Sequence, residues 1–574
     1  MAEKNPLLLH ERIDDVPVLL GLMIMMNWPE LFDRHLGDHH LHQGLSHGWL
    51  IVIWLAYILS EGDHCKSHVQ EWVDQRRQTL EKLTGQTIRP EVEFNDDRLS
   101  IVLRRLSDAA AWAAIEAELW SSSFVVYQFT TEQVRLDSTS SYGFHLPFEG
   151  GVMQFGHSKD HRPDLPQLKL MAAAAQPSGQ IIACAVLPGQ SADDPLYTPL
   201  IGRVREILQQ TGLLYAGDSK MAALETRANL AAQNDFYLCP LPLNAAPDFA
   251  QWVRRATEGD QFARLVWEED RLLGAGYEFT RPQSAMIEGQ EIVWEERVIV
   301  VRSSSLAASR NEQLEQRLSA AQTELEKLTP PPARGKRQFT DEAELRSAIE
   351  RILKREKVEG LLEVKYEREE KESTKYVGRG RGSAGRPTAT TTKARYQITG
   401  VAGVAEAIAR AKAEAAWRVL VTNAPVEKLS LAEAVISYRE GVWLERDFHL
   451  VKDRPLGLSP LWVWRDDQIK GLTHLVTMGL RLLTLIETKA RAGLKETQTT
   501  LAGLYEGNPN RSTDRPTARR LLKAFVRTEI TRTRIELNGE TTWHITALSS
   551  LLQQILALLG LSTELYTQLG GHSP

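Results

Sequence analysis

The chain is expected to fold as an α/β protein: a mixed sheet with helices on its faces, interrupted by a large insertion and preceded by an all-helical N-terminal domain. Three observations predict this. Apolar residues recur at helical spacing through residues 1–115. From residue 120 the period shortens, and LKLMAAAAQPSGQIIACAVLPG reads as two apolar strands around a Pro-Ser-Gly turn. Helix and strand then alternate through IGRVREILQQTG, LLYAGDSKM and AALETRANLAAQN, as they do in sheets covered by helices.

The elements follow in order. PVLLGLMIMMNWPELFDRHL and LSHGWLIVIWLAYILSEG are early helices, and LSDAAAWAAIEAELWSSSF is a helix with a Ser-Asp start. SFVVYQFTTEQVRLDSTS reads as extended chain ending at Asp137. The helix IGRVREILQQTG closes at Gly212, and the short strand after it ends at Asp218. DFYLCPL, RLLGAGYEFT and EIVWEERVIVVRSS predict further strands, and residues 306–329 a charged helix. After a PPPARGK break come the helix DEAELRSAIERILKRE, the strand-like KARYQITG and WRVLVTNAP, and a helix beginning at Ser430. The interval from Asp218 to that helix is too long for a structureless loop, so an inserted domain is expected.

A chain of 574 residues exceeds one hydrophobic core. Its 43% hydrophobic and 25% charged residues are ordinary for a soluble globular protein. Cys65, Cys184 and Cys239 lie far apart without a CxxC, which fits a reducing interior and excludes a zinc ribbon. MAEKNPLLLHERIDD lacks the features of a signal peptide. GWLIVIWLAYILS and LLQQILALLGL are too short or too interrupted to span a bilayer, so no membrane partner is expected. The histidines at 39, 40, 42 and 47 have no partner spacing that would make a metal site. A net charge of −6 weighs against a nucleic-acid partner, but local fields differ. Residues 371–396 hold seven Lys or Arg against one acid, and residues 481–535 hold twelve against five.

SLAEAVISYREGVWLERDFHLVKDRPLGLSP carries Tyr438, Glu445 and Lys452 seven residues apart, which on one helix puts all three on one face. Asp137, Asp218 and Glu445, brought together, would make an oxygen-ligand site for Mg²⁺. Two such ions could activate a water or a 3′-hydroxyl at a scissile phosphate. Lys452 could then contact a flanking phosphate and Tyr438 could stack or hydrogen-bond against DNA. Taken singly, an Asp after a strand is more often a cap or turn residue, and Tyr438 or Glu445 more often packing or a surface ion pair.

Four blocks resemble bacterial insertion-sequence transposases of the DDE class, in the branch with a Tyr-x2-Arg-x3-Glu-x6-Lys signature. They are IDDVPVLL…LFDRHL…HQGLSHGWLIVIWLAYILSEGDH, VRLDSTS, GHSKDHRPDLPQLKL and the segment from WRVLVTNAP to WRDDQIKG. The resemblance implies a ribonuclease-H-like core in which Asp137, Asp218 and Glu445 are the metal-binding catalytic carboxylates. It implies two Mg²⁺ ions, with Mn²⁺ as a substitute, and DNA contacts from Tyr438 and Lys452. The signature's arginine falls on Gly441, and Arg439 or Arg446 is expected to supply its charge from a neighbouring turn. Lys159 and Arg162, in the GHSKDHRPD run, are expected to steer DNA.

The domain boundaries that follow are 1–118 for the helical domain, serving DNA-end recognition or dimerisation, and 119–235 for the first part of the core. Residues 236–415 form the insertion, with a Gly/Arg-rich basic loop as a phosphate clamp, 416–490 the second part of the core, and 491–574 a basic helical tail. The implied activity is cut-and-paste transposition, with metal-dependent cleavage at terminal inverted repeats and strand transfer into target DNA. A homodimer on double-stranded DNA, cytoplasmic and nucleoid-associated in a bacterium, would carry it out. Some such enzymes cut through a hairpin and hold a flipped base on aromatic rings, for which Trp294, Trp417 and Trp443 are candidate analogues. The rival readings are a catalytically inactive DNA-binding relic and a metal-dependent nuclease on the same fold.

Overall fold

Leu7–Arg12 (β1) leads into eight helices: Val16–Met25 (α1), Trp28–Leu36 (α2), His47–Glu61 (α3), Lys66–Asp74 (α4), Arg77–Thr84 (α5), Pro90–Glu93 (α6), Asp96–Leu106 (α7) and Ala109–Tyr127 (α8). Their ends follow local chemistry. The Ser46 and Asn95 side chains accept from the backbone amides of Trp49 and Arg98, capping α3 and α7. The computed structural model describes residues 7–37, 44–127, 131–258, 264–333, 336, 338–377, 388–453, 456–537 and 540–572. His39, His40, His42 and the Gly/Arg-rich run 378–387 lie outside the described residues.

The second half of SFVVYQFTTEQVRLDSTS is a strand, but its start is not. Helix α8 continues through SFVVY, an apolar run whose period suits either state. Gln133–Tyr142 (β2) then pairs along its whole length with Gln167–Gln176 (β3), which turns back as Ile181–Pro188 (β4). Asp137 therefore sits mid-strand rather than at a strand end. Next come Tyr197–Leu208 (α9), Leu214–Ala216 (β5), Leu224–Ala232 (α10), Phe236–Pro240 (β6) and Phe249–Glu258 (α11). Arg264–Glu268 (β7), Arg271–Ile287 (β8) and Gln290–Ser303 (β9) form an antiparallel meander.

Ser304–Leu328 (α12), Glu342–Glu356 (α13), the hairpin Leu362–Tyr376 (β10) with Thr388–Gly403 (β11), and Ala405–Glu414 (α14) carry an apolar cluster of their own. Trp417–Thr422 (β12) re-enters the main sheet, whose nine described strands run β4-β3-β2-β5-β6-β12-β9-β8-β7. Among them only β2–β5 and β5–β6 are parallel. The span expected as one insertion is thus divided: residues 236–303 extend the central sheet, while α12 to α14 carry the separate apolar cluster, with α12 packed against β8 and β9. Strand-like runs alone do not say which sheet they join, because the pairing is non-local.

Leu431–Arg439 (α15) and Val442–Lys452 (α16) follow, then Asp466–Thr497 (α17). The helix expected from Ser430 breaks at Glu440–Gly441, so Tyr438 does not share a continuous face with Glu445 and Lys452. Beyond α17 lie Leu501–Ala502 (β13), Ser512–Thr513 (β14), Ala518–Thr528 (α18), Thr531–Leu537 (β15), Glu540–Ile545 (β16), Ser550–Leu559 (α19), Glu564–Thr567 (α20) and Gly571–His572 (β17). The end of the chain is therefore not purely helical. Strand β15 pairs with β1, joining both ends of the chain in a four-stranded sheet.

Helix α17 is the spine of the larger core, which takes in the N-terminal helices, one face of β3–β4, α18 and α19. It lies so close to α7 that a Cβ on Gly471 would be 1.9 Å from the Leu103 carbonyl oxygen. By length and composition α17 could cross a membrane, unlike the shorter stretches singled out above, but 94% of its apolar window is buried inside the protein. The molecule is an N-terminal helical region followed by a mixed α/β region with a large sheet and flanking helices.

Candidate active site

Parallel pairing sets the first two carboxylates side by side. Strand β2 matches β5 as Gln133↔Leu214, Val134↔Tyr215 and Arg135↔Ala216, where the pairing stops. Asp137 lies two residues beyond Arg135 on β2, and Asp218 lies two residues past the end of β5, which stops at Ala216 rather than at Asp218 as expected. The two charges feel each other, since Asp218 helps to raise the Asp137 carboxyl above its usual range. Burial is the main cause of that rise, and the Lys159 ammonium opposes it. Asp218 accepts from the Tyr197 hydroxyl at 2.6 Å and from the Lys220 amide at 2.9 Å.

Helix α16 brings the third carboxylate. Asp137, Asp218 and the exposed Glu445 line one cavity of about 540 Å³, together with Arg135, Arg418, Tyr438, Arg439 and Gly441. Ser305 and Ser309, from the first turns of α12, complete its wall. Tyr438 is braced by Arg418, whose guanidinium carbon sits 5.7 Å from the ring centre.

Other expected DNA contacts are committed elsewhere. Lys452 pairs with Asp160 at 2.5 Å and is largely buried, so it pins the 156–165 loop against the end of α16. Arg162 pairs with Asp164 at 2.8 Å and lies over the Tyr142 ring. Arg446 faces away from the three carboxylates and pairs with Glu487 at 2.6 Å. Among the tryptophans, Trp294 is 9% exposed and donates to the Tyr237 hydroxyl, and Trp417 donates to the Ala413 carbonyl. The Trp443 side chain lies outside the described residues. Trp462 and Trp464, which carry no signal in the sequence, are 57% and 66% exposed.

Lys159 does reach the site. Its ammonium donates to the Ser138 carbonyl, to the Ser138 hydroxyl at 3.0 Å and to Asp137 Oδ1 at 3.4 Å. A monovalent cation thus already sits against Asp137. The donor chemistry fits a hard divalent ion, for which carboxylate oxygens are the usual protein ligands. Among the described residues, however, no three His, Cys, Asp or Glu side chains stand close enough together to hold a metal. The carboxylates share a cavity without converging. Lys159→Ala should remove the internal competitor and enlarge the rise in melting temperature on adding Mn²⁺ by about 2–4 °C, readable by thermal-shift assay. An unchanged shift would separate this ammonium from any cation site.

A second cavity, of about 940 Å³, shares Arg135 with the first. Helix α16 stands between them, turning Glu445 to one and Arg446 and Asp447 to the other. Burial pushes the Asp447 carboxyl up to about 7; Arg446, 3.6 Å away, opposes this, and Glu487 adds to it. A carboxyl raised in the fold adds stability below its unfolded value, and loses it as pH rises toward 7. Asp447→Asn should therefore be near neutral at pH 4 and stabilising at pH 8, by up to about 4 kcal/mol, in denaturant titrations at the two pH values. Equal effects at both would show that Asp447 is ionised throughout.

No protein-family model matches the chain, and no curated protein matches it. One solved structure to which it is similar is the cryo-EM structure of the piggyBac transposase synaptic complex with hairpin DNA (SNHP). The identity is 10%, the match covers 51% of this chain and 58% of that one, and the TM-score is 0.24. The chain thus spans less than two thirds of that protein. At this level the likeness carries no argument, and the functional reading rests on the residues of this chain.

Proposed function

We propose that the chain is a DNA transposase of the DDE class, with the α/β sheet as a ribonuclease-H-like core. The observation that carries this reading is that Asp137, Asp218 and Glu445, from three separated segments, line one cavity. Drawn closer together than they stand here, Asp137, Asp218 and Glu445 would hold one or two Mg²⁺ or Mn²⁺ ions, which when bound supply the charge that activates a water or 3′-hydroxyl and stabilises the leaving oxygen. The chain's own residues do the rest. Arg439 and Tyr438, lining the same cavity, contact the DNA strand. Lys159 holds the Asp137 carboxyl in place through its ammonium contact. Lys452, through Asp160, positions the loop that carries Lys159. Because excision requires two element ends held together, the working form is a dimer on double-stranded DNA.

The test is incubation of the purified protein with labelled duplexes bearing the inverted repeats that flank its gene, with Mg²⁺, with Mn²⁺ and with chelator. Metal-dependent cleavage at the repeat boundary and joining to a target duplex are expected. Cleavage without joining would favour a nuclease, and binding without cleavage an inactive relic.

A further inference from the structure

Strand β2 places Arg135 two residues before Asp137, so both side chains leave the same face of the sheet. On that face α15 and α16 meet at a break, and the guanidinium of Arg135 enters it. A Cβ on Gly441 would lie 2.8 Å from Arg135 Nη1, so the absence of a side chain at 441 is what admits the arginine. Arg135 is 4% exposed, yet it lines both cavities. The one hydrogen bond of its side chain among the described residues runs from Nη2 to the Ser437 carbonyl, and Nε has no partner among them. No carboxylate of the described residues is within ion-pairing distance; Glu440, Asp137 and Glu445 act on it only from further away. A guanidinium keeps its charge at neutral pH.

A buried, charged arginine without a counter-ion is costly unless something completes it. Its planar fork suits a phosphate. We propose that Arg135, admitted through the gap at Gly441, grips a backbone phosphate of the DNA strand that lies along Asp137 and Glu445. This rests on the transposase reading, and it gives the site a phosphate-binding residue in addition to Arg439.

The experiment is binding of a labelled terminal-repeat duplex in EDTA, so that no strand is cut, at a series of salt concentrations. The variants are Gly441→Ala, Arg135→Gln and Arg135→Lys, each with its melting temperature recorded. In Gly441→Ala the new methyl clashes with the end of a flexible side chain at 2.8 Å, while the Tyr438 carbonyl oxygen at 3.2 Å needs only a slight shift. Arg135 is therefore the group that moves. Loss of one phosphate contact should lower the slope of log affinity against log salt by about 1 in Gly441→Ala and Arg135→Gln. Arg135→Lys, which keeps the charge, should keep the slope. An unchanged slope in Gly441→Ala overturns the proposal whatever Arg135→Gln does. A slope lost equally in Arg135→Lys also overturns it, because the side chain would then be only a tie to α15. Failure of the unsubstituted protein to bind the duplex would instead remove the transposase reading, and this proposal with it.

Discussion

Asp137→Asn and Glu445→Gln are each expected to abolish metal-dependent DNA cleavage, by on the order of 10³-fold or more, while leaving the fold intact. Both replacements keep shape and remove only the charge. Glu445 is exposed and makes no ion pair among the described residues, so its amide costs little stability. The amide introduced by Asp137→Asn would still offer a carbonyl oxygen to the Lys159 ammonium, which also retains the Ser138 carbonyl and hydroxyl. Circular dichroism and melting temperature should therefore match the parent while single-turnover cleavage is lost. Asp218→Asn should behave the same way, because the Tyr197 hydroxyl can still donate to the amide oxygen. Cleavage that survives any of the three would sink the assignment of the carboxylates.

The largest stability effect is expected far from that site, at Glu116. This carboxylate is fully buried in α8 and accepts from the Cys184 amide on β4 at 2.9 Å. Arg203 of α9 pairs with it, and Arg481 of α17 approaches to 3.4 Å. Four elements from the helical region, the sheet and the long C-terminal helix meet on one charge. Glu116→Ala would leave Arg481 buried without a counter-ion, a loss of about 3–5 kcal/mol. Replacing Arg481 by Met in the same chain should recover part of it, because two charges leave the interior together. Urea titrations of the two single variants and the double variant would read the coupling. Additive losses would mean that the pair does not act as a unit.

Much of the local structure is legible in the chain. The β3–β4 hairpin declares itself through Pro-Ser-Gly, with Gly179 at φ +70 in the turn. The charged α12 and the Ser430 capping box follow from residues within a few positions of each other, whereas the helix expected to close at Gly212 ends at Leu208, capped by Gln209 in the left-handed conformation. Helix and strand signals of this kind arise within one turn or one pleat, so they need no help from distant parts of the chain.

Other features depend on contacts between distant segments. The break at Glu440–Gly441 is hidden inside a good helical pattern, and it is occupied by a side chain from β2. Whether Arg446 faces Glu445's cavity or Glu487 is settled by the packing of α16 on α17, one residue of rotation apart. Lys452 meets Asp160, and Lys159 meets Asp137, through a loop whose course no periodicity describes. Local patterning was enough to specify most of the elements and to supply the three carboxylates. That they line one cavity, which basic groups join them, and that β15 closes on β1 all came from the packed molecule, because charge pairing and strand pairing are set by through-space distance rather than by position along the chain.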